Sequence, residues 1–161
     1  MSRRRLGTSN IEVTPIGLGT WQLSQGQGPL GGFWRTLDDE AATAVVKAAL
    51  YGGITWFDTA QAYGNGASER ALGRALSRLE VEPGTVHIAT KWWPLFRTAR
   101  NIARTIGERI QCLAPYPIDL YQIHQPLSLS SVEKQIDAMA DLVDAGKIRA
   151  VGVSNFSADA M

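Results

Sequence analysis

The chain has 161 residues, 45% apolar and 19% charged, with a formal net charge of +1; this suits one globular domain spanning 1–161 and gives no field to gather nucleic acid. No apolar run nears the ~20 residues of a membrane span, and no charged-then-apolar leader opens the chain, so no membrane partner and a cytoplasmic location are expected. The single cysteine, Cys112, excludes an internal disulfide and a cysteine-built metal cluster, and its place near a helix end reads as a small buried hydrophobe.

The first segment carries Arg3-Arg4-Arg5 and then a polar turn, Gly7-Thr8-Ser9-Asn10. Arg4–Leu6 and Ile11–Val13 flank that turn and read as a small hairpin, plugging the bottom of a barrel or decorating an edge. Ile16–Leu18 reads as the first parallel strand. Ser24–Arg35 is rich in glycine, holds Pro29, and contains a literal G-x-G-x-x-G at Gly26, Gly28 and Gly31. A dinucleotide-binding phosphate loop needs that motif held tightly between a strand and a helix. Here more loop (Gly32-Phe33-Trp34) follows, so a mobile loop is the expectation. Thr36 then precedes Asp38, Asp39 and Glu40, acids suited to a helix N-terminus.

Strand and helix patterns alternate from there on. Ile54–Phe57 is a strand, followed by a helical stripe of Ala71, Leu72, Ala75, Leu76 and Leu79. Val86–Ala89 is the next strand, followed by the stripe Ile102, Ile106, Ile110 and Leu113. Leu120–Ile123 is the fourth, followed by Val132, Ile136, Met139, Ala140 and Val143. Ser130 with Glu133 has capping-box spacing, and Gly146 stands where a left-handed helix stop is expected. Ile148–Val153 is the fifth strand. Nearly continuous apolar strands alternating with amphipathic helices predict parallel strands joined by right-handed crossovers, an α/β fold.

Chemistry collects at the ends of these strands. The second ends in Asp58 and leads to Tyr63, the third ends in Lys91, the fourth in His124, and the fifth in Ser154 and Asn155. Each alone has a plain reading as a turn residue, a solvated charge or a helix start. Together they stand where α/β barrels build active sites, at the carboxyl ends of parallel strands. A flavodoxin-like sheet fits the alternation but not these strand-end groups. A phenol has a pKa of about 10. A lysine ammonium beside it is expected to lower that value, with a carboxylate holding the lysine, which makes Tyr63 a usable general acid. His124 adds a donor for a carbonyl oxygen or shares the proton relay. None of these groups is a redox centre, so a hydride donor must come from outside, which implies nicotinamide. His87 and His124 lie on different strands with no carboxylate cluster, so no metal is expected.

These residues resemble the aldo-keto reductase family through most of the chain. "GLGTWQ" (17–22) looks like its first strand, and "WFDTAQAYGNGASERALGRAL" (56–76) looks like its DTA, YG and SE signature. "ATKWWP" (89–94), "DLYQIHQP" (119–126) and "KIRAVGVSNFS" (147–157) look like its third, fourth and fifth strand motifs. The resemblance implies a (β/α)8 TIM barrel that reduces aldehydes and ketones with NADP(H), acting on a small-molecule carbonyl substrate. It implies a catalytic tetrad of Asp58, Tyr63, Lys91 and His124. Gly19, Thr20, Trp21, Asp58, Ser154 and Asn155 are implied around the cofactor, with Ser154 and Asn155 holding the nicotinamide carboxamide. Trp21, Trp92 and Trp93 are implied as substrate-pocket walls, one of the adjacent pair competing with a role in core packing.

A full barrel has eight βα units and typically ~250 residues, whereas five units are read here. The resemblance places the contacts to the adenosine and 2′-phosphate in the remaining three. The first and fifth strands would then be open edges, suited to self-association or pairing with another chain. Three readings follow: the N-terminal half of an active reductase, a catalytically silent half-barrel that associates with another chain, and a cofactor-holding binding or regulatory module. The intact tetrad favours the first, because a binder has no need of a tuned tyrosine.

Overall fold

The computed structural model describes residues 2–28 and 35–160. Pro29, Gly31 and Gly32-Phe33-Trp34 of the expected loop lie outside the described residues. Arg4–Arg5 (β1) and Glu12–Val13 (β2) pair antiparallel, as the hairpin reading expects. Five parallel strands follow: Leu18–Gly19 (β3), Trp56–Asp58 (β4), His87–Trp92 (β5), Leu120–Ile123 (β6) and Ala150–Val153 (β7). Between them run α1 (Asp39–Tyr51), α2 (Ala67–Arg78), α3 (Arg100–Leu113) and α4 (Val132–Asp144). A 3₁₀ turn, Trp21–Ser24, follows β3.

The strands lie in chain order, β3-β4-β5-β6-β7. That sequential order belongs to a barrel wall, whereas a doubly wound sheet reverses direction at a switch point. The flavodoxin-like alternative is thereby set aside.

Strand periodicity of two divides the sheet into faces. Phe57 registers with Ile88, Thr90 with Tyr121, and Trp92 with Ile123, which puts these side chains on one face. There all but Thr90 pack with Val46, Leu72, Leu76, Ile102, Ile106 and Met139 of the helices into one contiguous core. Gly19, Asp58, Lys91 and Gln122 fall on the opposite face by the same register. Burial thins toward the last strand: five of the six residues of β5 are buried, while all four of β7 are half-buried.

Helix starts fall close to the sequence expectations but not on them. Asp38, not Thr36, caps α1, its carboxylate accepting from Ala41 N at 2.8 Å. Ser131, not Ser130, caps α4. The Ser130 hydroxyl is taken instead by Ala99 N at 3.0 Å, tying the entry of α4 to that of α3. Gly146 does adopt the left-handed conformation of a helix stop, φ +67°. Cys112 is half-buried rather than buried, with the Arg70 guanidinium 3.4 Å from its sulfur.

One buried ion pair locks α2 to α3. Glu69 and Arg109 are both fully buried and meet at 2.5 Å, and the Thr90 hydroxyl donates to the other Glu69 oxygen. Burial outweighs both partners and raises the Glu69 pKa to about 6. Breaking a buried pair from one side leaves an uncompensated charge and costs about 3–5 kcal/mol. Arg109→Leu is therefore expected to lower the unfolding free energy by that order in urea titrations. Glu69→Gln combined with Arg109→Met should cost markedly less. A single variant as stable as the unmutated chain would contradict the role given to this pair.

Candidate active site

The end of β4 is fixed before any catalytic group is considered. Thr20 N and Thr20 Oγ1 both donate to Asp58 O at 2.9 Å. The Ser68 hydroxyl of α2 donates to Thr20 O and accepts from Thr59 Oγ1 at 3.0 Å. The expected cofactor role of Thr20 is corrected in part: its side chain is 1% exposed and its hydroxyl is spent on this brace. Tyr63 sits in a turn that needs glycine beside it. Gly64 has φ +68°, and a Cβ there would come within 2.7 Å of Ser24 O.

The brace aims Asp58 at Lys91 of the neighbouring strand. Lys91, 5% exposed, donates from Nζ to Asp58 Oδ1 at 2.5 Å and to Thr59 O at 2.9 Å. Its third contact is Tyr63 OH at 3.5 Å. An ammonium buried to this extent requires such partners, since its desolvation costs several kcal/mol. Gln122 Nε2 reaches the other Asp58 oxygen at 3.5 Å, completing the hold from β6.

The tyrosine is not acidified in this arrangement. Burial, and then the Asp58 charge, raise the Tyr63 pKa to about 12. The expectation that Lys91 lowers it is not met, chiefly because burial disfavours the phenolate, and the contact geometry adds to this. The ammonium is a full ångström closer to Asp58 than to the phenol, so the carboxylate offsets its field at Tyr63.

Aromatic rings surround this group. Trp21 stacks on Tyr63 with centroids 5.6 Å apart, and the His124 ring meets Tyr63 edge-on at 5.6 Å. Trp93 meets the other side of His124 at 5.3 Å. Burial, and then the Lys91 charge, lower the His124 pKa to about 4, so the imidazole is neutral at physiological pH. Its Nδ1 is buried with no hydrogen-bond partner among the described residues.

The structure separates the two adjacent tryptophans. Trp93 faces the site. Trp92 is fully buried on the helix-facing side of β5, with its indole N–H on Asn101 Oδ1 at 3.0 Å. The pocket expectation for Trp92 is corrected: strand alternation sends it into the core, opposite Lys91.

At the end of β7, Asn155 holds a left-handed backbone, φ +61°. Its amide donates to His124 O at 2.9 Å and to Ser154 Oγ at 3.0 Å, which ties β7 to β6 at the site. Gly19 is exposed beside Asp58, and a Cβ there would meet nothing within 4 Å. It leaves a ledge that a flat ring can approach.

Two contributors escaped the sequence reading. Gln122 was legible in principle, because it lies two residues before His124 and shares its side of β6. The Thr59 carbonyl was not, since a backbone acceptor leaves no signal in residue type. Among the described residues, no group of three or more His, Cys, Asp or Glu side chains could hold a metal, and no helix is long and apolar enough to cross a membrane.

Comparisons with known proteins identify the family and the fold. The model of the aldo/keto reductase family matches residues 15–161. Aldo-keto reductase YhdN of Bacillus subtilis is 39% identical over 170 residues, covering all of this chain and 49% of its own length. The crystal structure of a thermostable aldo-keto reductase, Tm1743, superposes with a TM-score of 0.83 at 31% identity, covering 99% of this chain and 56% of that one. The aldo-keto reductase of Klebsiella pneumoniae, solved in complex with NADPH, superposes at 0.76 with 27% identity, covering 92% and 48%. The chain thus spans about half the length of the relatives it matches.

The state of His124 is open to direct measurement. With a folded pKa near 4 against 6.5 for the free group, the unfolded chain takes up a proton that the folded one refuses. Stability from this group is present above about pH 6.5 and is lost as pH falls toward 4, up to about 3 kcal/mol. Imidazole ¹⁵N spectra should show His124 neutral down to pH 5, and Lys91→Met should move its titration upward. Protonation near pH 6.5 in the unmutated chain would contradict the buried, cation-facing placement.

Proposed function

Because the chain belongs to the aldo/keto reductase family, we propose that it carries the proton-donating site of a reductase that converts aldehydes or ketones to alcohols with NADPH. The observation that supports this most is the contact of one buried ammonium with both a carboxylate and a tyrosine hydroxyl. The residues fit a nicotinamide ring. Gly19, at the end of β3, leaves space where a Cβ would meet nothing, and at the end of β7 the Ser154 hydroxyl proton and the Asn155 amide oxygen remain to meet a carboxamide. NADPH is favoured over other hydride carriers because the Klebsiella pneumoniae relative was solved with it.

When bound, nicotinamide supplies the hydride that attacks the carbonyl carbon. Tyr63 gives its proton to the carbonyl oxygen as negative charge develops there. A phenol with a pKa near 12 suits this work: it stays protonated at neutral pH, yet an alkoxide is a stronger base than its phenolate. Lys91 then stabilises the phenolate until solvent returns a proton, a role realised as the charge forms. Asp58 and the Thr59 carbonyl hold the ammonium in place for that moment. His124, neutral at the working pH, positions the carbonyl oxygen by a hydrogen bond and does not compete as the acid. Trp21 and Trp93 form apolar walls that exclude water from the transfer.

A cofactor-holding module without turnover needs none of this machinery, so the catalytic reading is preferred. Tyr63→Phe is expected to lower carbonyl turnover by about 10²–10⁴-fold. NADPH affinity, followed by fluorescence, should change little. Turnover near that of the unmutated protein would overturn the assignment of Tyr63 as the acid.

A further inference from the structure

A cavity of about 750 Å³ abuts the site, bordered by Trp93, by Ala62 and Gly64 on either side of Tyr63, and by Arg97. Arg97 is its only cation among the described lining residues. Its Nη1 donates to Gln61 Oε1 at 3.0 Å and lies 3.5 Å from Asn101 Oδ1. Each amide oxygen serves a tryptophan as well: Gln61 Oε1 accepts from Trp93 N at 3.1 Å, and Asn101 Oδ1 from the Trp92 indole at 3.0 Å. The guanidinium is therefore positioned by the walls of the site itself. Both acceptors are neutral, and Arg97 makes no ion pair among the described residues.

Its backbone is built with similar care. Phe96, just before it, is held at φ +57°, a costly conformation for a large side chain and one that persists where the surroundings over-determine it. Arg97 O accepts from Leu129 N and from Ser128 Oγ, both at 2.9 Å, which clamps this loop to the one after β6. A half-buried guanidinium, pinned through one nitrogen and lacking a carboxylate, keeps Nε and Nη2 for an incoming acceptor. A planar carboxylate matches that fork and its single charge. A phosphate dianion would call for a second cation, which the described lining lacks.

We propose that Arg97 is a specificity-determining residue that binds a carboxylate, so that the preferred substrates are aldehydes or ketones carrying a carboxylate away from the carbonyl. The inference rests on the reductase reading for the fate of the carbonyl, but the anion site can be tested without turnover. The probes are 4-carboxybenzaldehyde and its neutral methyl ester, titrated calorimetrically into the protein and into Arg97→Met and Arg97→Lys, with circular dichroism confirming that each variant is folded.

The unmutated protein should bind the acid about tenfold tighter than the ester, the size of one charge-assisted contact. Arg97→Met should abolish that preference and leave ester affinity unchanged, and Arg97→Lys should keep part of it. Equal affinity for the two probes, a preference that survives Arg97→Met, or binding of neither probe would overturn the proposal. NADPH oxidation with the same pair separates the two readings. Arg97-dependent acid binding without reduction of either probe would sink the reductase reading and leave the anion site standing. Reduction of both with no acid preference would do the reverse.

Discussion

The buried ammonium of Lys91 is the constraint on which the rest of the site depends. A lysine with 5% exposure needs acceptors within reach, and the fold meets that need with Asp58 Oδ1, Thr59 O and the Tyr63 hydroxyl. Two of these come from the end of one strand and the third from the loop after it. The parallel register of β4 and β5, the Thr20–Ser68–Thr59 hydroxyl brace and the glycine turn at Gly64 can all be understood as conditions for that meeting.

The same geometry changes the account of how tyrosine serves as an acid. The simplest electrostatic picture has a lysine lowering the phenol pKa in the resting state. Here the lysine is paired first with aspartate, and burial keeps the phenol neutral. The ammonium is held in reserve for the charge that appears when the proton leaves. A donor that is fully protonated at rest and whose conjugate base is stabilised on formation is well arranged for transfer to an alkoxide. His124 follows the same logic, since burial and the neighbouring ammonium hold it neutral and leave one proton donor in the centre.

Much of this was legible in the sequence. Alternating periodicities gave the parallel sheet, and the strand-end positions of Asp58, Lys91 and His124 gave the shared face. Tyr63 was harder to place, because its position depends on a turn. What stayed hidden was mostly a matter of direction and of backbone. The pair Trp92-Trp93 cannot be divided until the exact strand register is known, and one residue's shift would exchange their roles. Thr20 reads as a polar residue at a strand end, yet its hydroxyl is consumed by Asp58 O and Ser68. Helix caps shifted by one or two residues, from Thr36 to Asp38 and from Ser130 to Ser131, because neighbouring residues of equal capping quality compete and tertiary contacts choose between them. The sign of the Tyr63 shift could not be read at all, because it is set first by how deeply the phenol is buried and then by the Asp58 charge beside it.

The most direct test of the central claim is the ionisation of Tyr63, followed by NMR of protein labelled with ¹³C at the tyrosine ζ carbon and assigned with Tyr63→Phe. A neutral phenol shielded by burial and by the Lys91–Asp58 pairing should show Tyr63 still protonated well above pH 10, with a midpoint near 12 if the fold survives to it. Ionisation at or below about pH 10, the ordinary value for the group, would mean that Lys91 acts on the resting phenol after all.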